Sequence, residues 1–281
     1  MTAPASDGAA AAPADGEREN DEATTMEIKQ YWSERATADR ANATTNDVYL
    51  RVLERETLVA HLRRLGCAAG SRVLDAGCGD GETLFALDAA FGCRLVGRDF
   101  ARAMIDLANA RLAANPNSRI DFAVGDVREV ARDFGEGGFD FVTTDRCLIN
   151  LESEAEQYAA IEGLARALKP GGWYLAIENF VEGNDRLNAM RALYGLPPIA
   201  IRWHNTFFRE EDFIARTRRL FRTVDKFDFS SSYYFATRVV YSRLCAVEGK
   251  PPDYRHPIHA ESVKLPAFGD FSPIKLFVLG K

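Results

Sequence analysis

The chain has 281 residues, 47% of them hydrophobic and 27% charged, with a formal net charge of -6. That composition predicts a folded protein with a sizeable core. The charge balance gives no general attraction for nucleic acid or anionic membranes, so neither is expected as a partner.

Residues 1–25 hold six acids (Asp7, Asp15, Glu17, Glu19, Asp21, Glu22) and one base, Arg18. They lack large apolar side chains and read as a disordered acidic, alanine-rich tail. The same start lacks the basic residues and apolar core of a signal peptide. No apolar run reaches the roughly 18 residues of a membrane helix. Five cysteines, at 67, 78, 93, 147 and 245, show no CxxC or zinc spacing. These features predict a cytoplasmic protein without a metal site.

Order is expected from about residue 26. Residues 26–70 read as a helical lid. Its main helix is "TTNDVYLRVLERETLVAHLRRLG", with Thr45 or Asn46 as cap, Leu50, Leu53, Leu58, Leu62 and Leu65 as apolar stripe, and Gly66 as stop. From residue 71 strands alternate with helices. "RVLDA", "RLVGRD", "IDFAVGD", "FDFVTTD" and "WYLAIEN" are strands; "ETLFALDAAFG", "ARAMIDLANARLA" and "EAEQYAAIEGLARAL" are helices. This predicts an α/β fold with a parallel sheet covered by helices on both faces. Ligands of such sheets bind beyond the C-terminal strand ends, and those ends carry Asp75, Asp99, Asp126, Asp145 and Glu178. Beyond residue 180 two strands, "FRTVDKFDF" and "PIKLFVLGK", complete seven. The helices among them, within 181–274, read as acceptor-binding insertions in a single domain, 26–281.

"DAGCGDG", residues 75–81, is a tight glycine turn after the first strand. Gly77, Gly79 and Gly81 let a ligand approach the backbone closely. A dinucleotide fingerprint needs glycine at position 82, where this chain has Glu82, and Asp80 and Glu82 would repel a pyrophosphate. That disfavours a nicotinamide oxidoreductase. S-adenosylmethionine has no phosphate; carboxylates near the turn suit its ammonium and sulfonium, and backbone N–H groups suit its carboxylate. Asp99, 24 residues after Asp75, is placed to accept the ribose hydroxyls. Asp126 is placed to accept the adenine amino group, and Val127 offers a backbone N–H. Cys78 sits in the turn, where a small packed side chain is the simpler account than a reactive thiol.

"VLDAGCGDGETL", "GRDFARAMIDLA", "VGDV", "FDFVTTD" and "LKPGGWYLAIE", five motifs in order over residues 71–180, resemble class I S-adenosylmethionine-dependent methyltransferases. The resemblance implies a seven-stranded Rossmann-like methyltransferase sheet. It also implies cofactor roles for Asp75, Gly77, Gly79, Asp99 and Asp126, with Phe100 and Met104 flanking the adenosine. In many such enzymes an N-terminal aromatic segment covers the cofactor, which makes Tyr31 and Trp32 lid candidates; packing against the sheet is the alternative. Arg98 departs from the family, which has an apolar residue there. It would need an acid nearby.

The acceptor side is read from chemistry. Transfer from a sulfonium is an in-line displacement that needs alignment, exclusion of water and, for a hydroxyl, a general base. "TTDRCLINL" lacks the Asn-Pro-Pro-aromatic motif that related enzymes use on planar amines. His204, in "RWHNTFF", is the candidate base, and Glu178 a second. Asp145 is expected to face the methionine end. Arg146 (for an anionic acceptor), Asn150, Asn205 and Tyr234 are candidate acceptor contacts. The stripe Tyr233, Tyr234, Arg238 and Tyr241 has two readings, core packing or stacking on a sugar. "TTNDVYLRVLE", "DRCLINL", "RWHNTFF" and "SSYYFATRVV" resemble methyltransferases of bacterial polysaccharide and sugar-nucleotide pathways, which implies a carbohydrate or sugar-linked acceptor. The expectation is methyl transfer to an oxygen, less favourably a nitrogen, of a small polar molecule. The alternatives are a protein methyltransferase and a non-catalytic cofactor-binding module.

Overall fold

The computed structural model describes residues 15–281 apart from 41 and 117. The elements run α1 (Asp15–Ala38), α2 (Val48–Arg64), β1 (Arg72–Ala76), α3 (Glu82–Phe91), β2 (Arg94–Asp99), α4 (Arg102–Ala113), β3 (Ile120–Val124), α5 (Val130–Phe134), β4 (Phe139–Asp145), α6 (Glu154–Ala167), β5 (Leu168–Asn179), α7 (Val181–Leu193), α8 (Glu210–Thr217), β6 (Thr223–Phe227), α9 (Ser231–Tyr234), a π-helical stretch Phe235–Tyr241, α10 (Ser242–Glu248), α11 (Pro257–Ser262) and β7 (Ile274–Gly280). Residues 1–14 of the expected tail lie outside the described residues. The remainder enters α1, which starts at Asp15.

All seven expected strands join one sheet in the order β3-β2-β1-β4-β5-β7-β6. The first five are parallel, and β7 inserts antiparallel between β5 and β6. One face of the sheet packs Val73, Leu95, Phe122 and Phe141 against Leu58, Leu62 and Leu84. The other packs Leu74, Val96, Val142 and Tyr174 against Ile161 and Leu164 of α6. The near-continuous apolar runs of β1, β4 and β7 follow from burial on both faces.

The cap of α2 is corrected by one residue. Asp47, not Thr45 or Asn46, accepts the Leu50 N–H at 3.1 Å. Asp47 is itself held by Tyr233 and Arg238. Of the leucine stripe, Leu50, Leu58 and Leu62 are buried, while Leu53 and Leu65 pack at its edge. Strand β5 begins at Leu168, ahead of the expected "WYLAIEN", and "KPGG" forms its irregular first residues, with Gly171 at φ 77°. The helical segment Ser231–Glu248 is interrupted by π-helical turns over Phe235–Tyr241. There Thr237 Oγ1 donates back to the Tyr233 carbonyl at 2.7 Å, a competitor of regular helix bonding.

Candidate active site

A cavity of about 300 Å³ runs along the C-terminal edge of the sheet. Strand order sets the order of its walls. Asp126 and Val127 follow β3, Asp99 and Phe100 follow β2, Gly77 and Gly79 follow β1, and Asp145 and Arg146 follow β4. One face of α1, presenting Thr25, Ile28, Trp32 and Arg35, closes it. The spacing of three and four residues puts these side chains on one stripe.

The glycine turn is shaped by its neighbours. Gly77 sits at φ 79° and Gly79 at φ 54°. The Gly77 N–H donates to the Arg98 carbonyl at 2.7 Å. The Gly79 N–H donates to Asp99 Oδ2 and the Ala101 N–H to Asp99 Oδ1, both at 2.9 Å. Asp99 is therefore fixed between the turn and the start of α4. Burial raises its pKa to about 6, against the lowering effect of those two bonds. Met104 and Phe100 supply apolar wall beside it.

Two acids of the turn do something other than expected. Asp80 is buried and accepts Arg51 Nη2 at 2.7 Å and Arg111 Nη2 at 3.0 Å. Glu82 pairs with Arg51 at 2.6 Å and with Arg55. Neither lines the cavity. These carboxylates pin α2 and α4 to the turn through three guanidiniums, so the sequence argument that they greet a cationic ligand is corrected. The carboxylates that do line the cavity near the turn are Asp99, Asp126 and Asp145.

Asp75 and Cys78 also lie off the cavity. Asp75 accepts the Thr143 hydroxyl at 2.8 Å beneath the turn, and burial raises its pKa to about 7. The Cys78 thiol is packed in the core, and burial pushes its pKa up, which leaves it inert as a nucleophile. Asp126 is gripped by Arg128, whose Nη2 is 2.7 Å from Oδ2 and whose Nη1 reaches Glu156 at 2.8 Å. Burial acts against its charge, but the Arg128 bonds outweigh it and hold Asp126 below the usual carboxylate range. Arg98 has the acid it needed, Asp121 at 2.8 Å, and lies over the Phe134 ring.

At the other end, Arg146 has φ 51°, the one described non-glycine residue with positive φ. This strained geometry is held by Glu54, fully buried on α2, whose carboxylate lies 2.9 Å from Arg146 Nε. Asp145 Oδ1 is 3.7 Å from the same Nε and has no hydrogen-bond partner. Burial raises the pKa of Asp145 against the pull of Arg146 and Arg51. Arg146 lines the cavity, but its charge is matched within the protein.

Glu178 is corrected as a base. It is fully buried and off the cavity, and it accepts the N–H groups of Leu148 at 3.1 Å and Ile149 at 3.4 Å. Burial raises its pKa to about 8. It is a bracket for the turn that carries Cys147 and Asn150. His204 does line the cavity. Its ring lies 4.4 Å from that of Tyr31, and its Nδ1 is buried without a partner. Burial, then Arg202 and Arg35, depress its pKa to about 4, so it is neutral at physiological pH. Tyr31 stands behind His204, not in the wall; Trp32 is the aromatic of α1 that reaches the cavity, its Nε1 donating to Asn150 Oδ1 at 3.2 Å. Asn205 Nδ2 reaches the same oxygen at 3.3 Å. Tyr234 and Arg238 line the cavity while Tyr233 and Tyr241 are buried, so the aromatic stripe divides between wall and core.

Several lining residues were not found from sequence: Arg35, Asp47, Asn179, Asn184, Arg202 and Tyr254. Arg35 and Arg202 lie on elements that meet only in the fold. The one available signal was α1's stripe Ile28, Trp32 and Arg35.

Comparison with known proteins agrees with this geometry. Residues 73–172 match the methyltransferase domain family. The demethylmenaquinone methyltransferase of Lactococcus lactis subsp. lactis (strain IL1403) is 31% identical over 119 residues, covering 42% of this chain and 45% of that protein. The demethylmenaquinone methyltransferase of Clavibacter sepedonicus is 34% identical over 114 residues, covering 41% and 43%. The matched segments thus span less than half the length of these curated relatives. In fold, the chain is similar to Haemonchus contortus phosphoethanolamine N-methyltransferase 2 in complex with S-adenosyl-L-methionine, with TM-score 0.54, 20% identity, and coverage of 80% of this chain and 52% of that one. Residues 73–172 thus resemble a methyltransferase domain in sequence, and the sheet order and the glycine turn fit that resemblance.

Proposed function

We propose that the protein transfers a methyl group from S-adenosylmethionine to an oxygen of a small polar acceptor, such as a sugar-linked metabolite, in this cavity. The observation that carries this reading is the shared cavity itself. Asp99, Asp126 and the glycine turn line it together with His204, Asn205, Arg146 and Tyr234.

The residues fit the cofactor. A Cβ at Gly77 would meet Cys147 Sγ at 2.3 Å and one at Gly79 would meet Thr44 Cγ2 at 2.8 Å, so only glycine keeps the backbone of the turn at the cavity wall. Asp99 offers its carboxylate to ribose hydroxyls, Asp126 and the Val127 N–H face the adenine end, and Phe100 and Met104 pack the apolar ring faces. Asp145 lines the cavity beside the turn and is the carboxylate placed for the methionine end on this reading. The bound cofactor supplies an electrophilic methyl on a sulfonium. His204, which lines the cavity, is the group that takes the acceptor's proton on this reading. Asn150 and Asn205, tied to each other and to Trp32, orient the acceptor. Trp32 and Ile28 exclude water, which strengthens each polar contact inside.

Replacing His204 with alanine is expected to leave cofactor affinity within about twofold and to slow transfer by roughly 10²–10⁴, the usual share of a general base. Full turnover in His204→Ala would remove His204 from the mechanism. Asp99, with its pKa raised to about 6, is ionised above that pH and protonated below it. Cofactor affinity measured by calorimetry should therefore fall as pH drops from 7 to 5, and Asp99→Asn should be weak and flat across that range.

One observation favours a second reading. Leu50, Leu187, Ile199 and Ile274 give the acceptor end an apolar wall, and the matched relatives are named demethylmenaquinone methyltransferases. A quinol ring carbon is the acceptor on that reading, and assays with a quinol and with sugar nucleotides side by side distinguish the two.

A further inference from the structure

Five arginines line the cavity, and three are matched by carboxylates. Arg128 pairs with Asp126 and Glu156, Arg146 with Glu54, and Arg238 with Asp47. Arg35 and Arg202 differ. Among the described residues neither has a carboxylate within ion-pair distance. Arg35 is anchored by neutral oxygens only: Nε to the Ala43 carbonyl at 2.9 Å, and Nη2 to the Asn42 carbonyl at 2.8 Å and Asn46 Oδ1 at 3.0 Å. These bonds fix the guanidinium plane and leave it without a carboxylate partner among the described residues. Arg202 is exposed, and its Nη1 makes one long contact, 3.5 Å to the Tyr31 hydroxyl.

Both arginines line the same cavity as His204. Arg202 lies two residues before His204, Tyr31 stacks on the His204 ring, and Arg35 lies one helical turn beyond Tyr31 on α1. Both act on His204 strongly enough to depress its pKa alongside burial. Two guanidiniums in one cavity wall, with no carboxylate among the described residues paired to either, favour a bound anion. Guanidiniums take carboxylate and phosphate oxygens through charge-assisted, often paired hydrogen bonds.

We propose that the methyl acceptor is an anion, with a carboxylate or phosphate group held between Arg35 and Arg202 and its nucleophilic atom thereby placed at His204. This rests on the small-molecule reading above and narrows it. Arg146, the cation expected from sequence to take an anionic acceptor, is already neutralised by Glu54, so the role passes to the two arginines without a carboxylate partner among the described residues. Arg35 and Arg202 are specificity residues here, and they select charge without taking part in proton transfer.

The test uses the full chain saturated with S-adenosylhomocysteine. Potassium phosphate and potassium acetate are titrated separately, with chloride holding ionic strength constant so that general screening cancels. The fluorescence of Trp32 and Trp203, both in contact with the Tyr31–His204 pair, reports occupancy. A saturable change is expected for at least one anion, and the tighter anion names the group. Arg202→Gln and Arg35→Gln should each weaken it at least about tenfold, with partial recovery in Arg202→Lys. No saturation with either anion, or affinity unchanged in both glutamine variants, would overturn the proposal. Arg202 is exposed, so Arg202→Gln keeps the test valid if Arg35→Gln fails to fold. Cofactor affinity is measured on the same samples. Its absence from the wild-type protein would count against the methyltransferase reading and would leave the anion result to be judged on its own.

Discussion

Replacing Gly77 with alanine is expected to remove measurable cofactor binding while the protein stays folded. Two effects add. Gly77 has φ 79°, a left-handed conformation that costs a residue with a Cβ roughly 1–2 kcal/mol. The added Cβ would also lie 2.3 Å from Cys147 Sγ and 2.6 Å from Cys147 Cβ. The neighbouring turn cannot easily give way, because its backbone is bracketed by Glu178 and its Arg146 N–H donates to the Ile177 carbonyl. The glycine turn must move instead, and with it the Gly79 N–H that orients Asp99. A loss of at least about 2 kcal/mol, some thirtyfold in affinity, is the expected result by calorimetry. Adding Cys147→Gly should recover part of it, since the nearest remaining Cys147 atom, Cα, would be 3.6 Å away. Wild-type affinity in Gly77→Ala would mean that the turn does not cradle the cofactor.

Glu178→Ala is expected to give the other large effect, and Glu178→Gln to separate its causes. Alanine leaves two buried N–H groups, of Leu148 and Ile149, without an acceptor, at about 1–3 kcal/mol each. The turn carrying Cys147 and Asn150 should loosen, and thermal stability and transfer should fall together. Glutamine keeps an accepting oxygen and lacks the charge. Glu178 has its pKa raised by burial from 4.5 to about 8. A raised folded-state pKa contributes stability that is full below 4.5 and lost as pH rises through about 8. Asp99 and Asp75, at about 6 and about 7, act in the same direction at lower pH. The wild-type Tm should therefore decline between pH 7 and 9, with Glu178 the main carboxylate of the three still titrating there. In Glu178→Gln that decline should flatten. An unchanged slope would show that Glu178 is ionised in the folded protein at neutral pH.

The parts of this protein that sequence reveals are those governed by local pattern. All seven strands are legible because buried parallel strands are short apolar runs separated by helices of a different period. The left-handed turn needs its glycines, and Asp99 and Asp126 stand at strand ends by the same alternation. What sequence conceals depends on which element arrives from elsewhere. Asp80 and Glu82 look like ligand contacts until α2 brings Arg51 and Arg55 against them. Glu178 looks like a base at a strand end, but β5 lies beside β4, and the turn after β4 folds over its carboxylate. His204 was legible as a lone histidine in a loosened region, whereas the two guanidiniums beside it were not. Arg35 comes from α1 and Arg202 from the loop before α8, 167 positions apart in a chain of 281 residues.

The central claim is that this cavity carries a methyl group from S-adenosylmethionine to a small molecule. Its most direct test is incubation with methyl-labelled S-adenosylmethionine and fractionated small metabolites, including sugar nucleotides, phosphorylated sugars and quinols. The account predicts label in a small-molecule fraction, lost in Gly77→Ala and strongly slowed in His204→Ala. Label appearing in protein alone, with the small-molecule fractions empty, would contradict it.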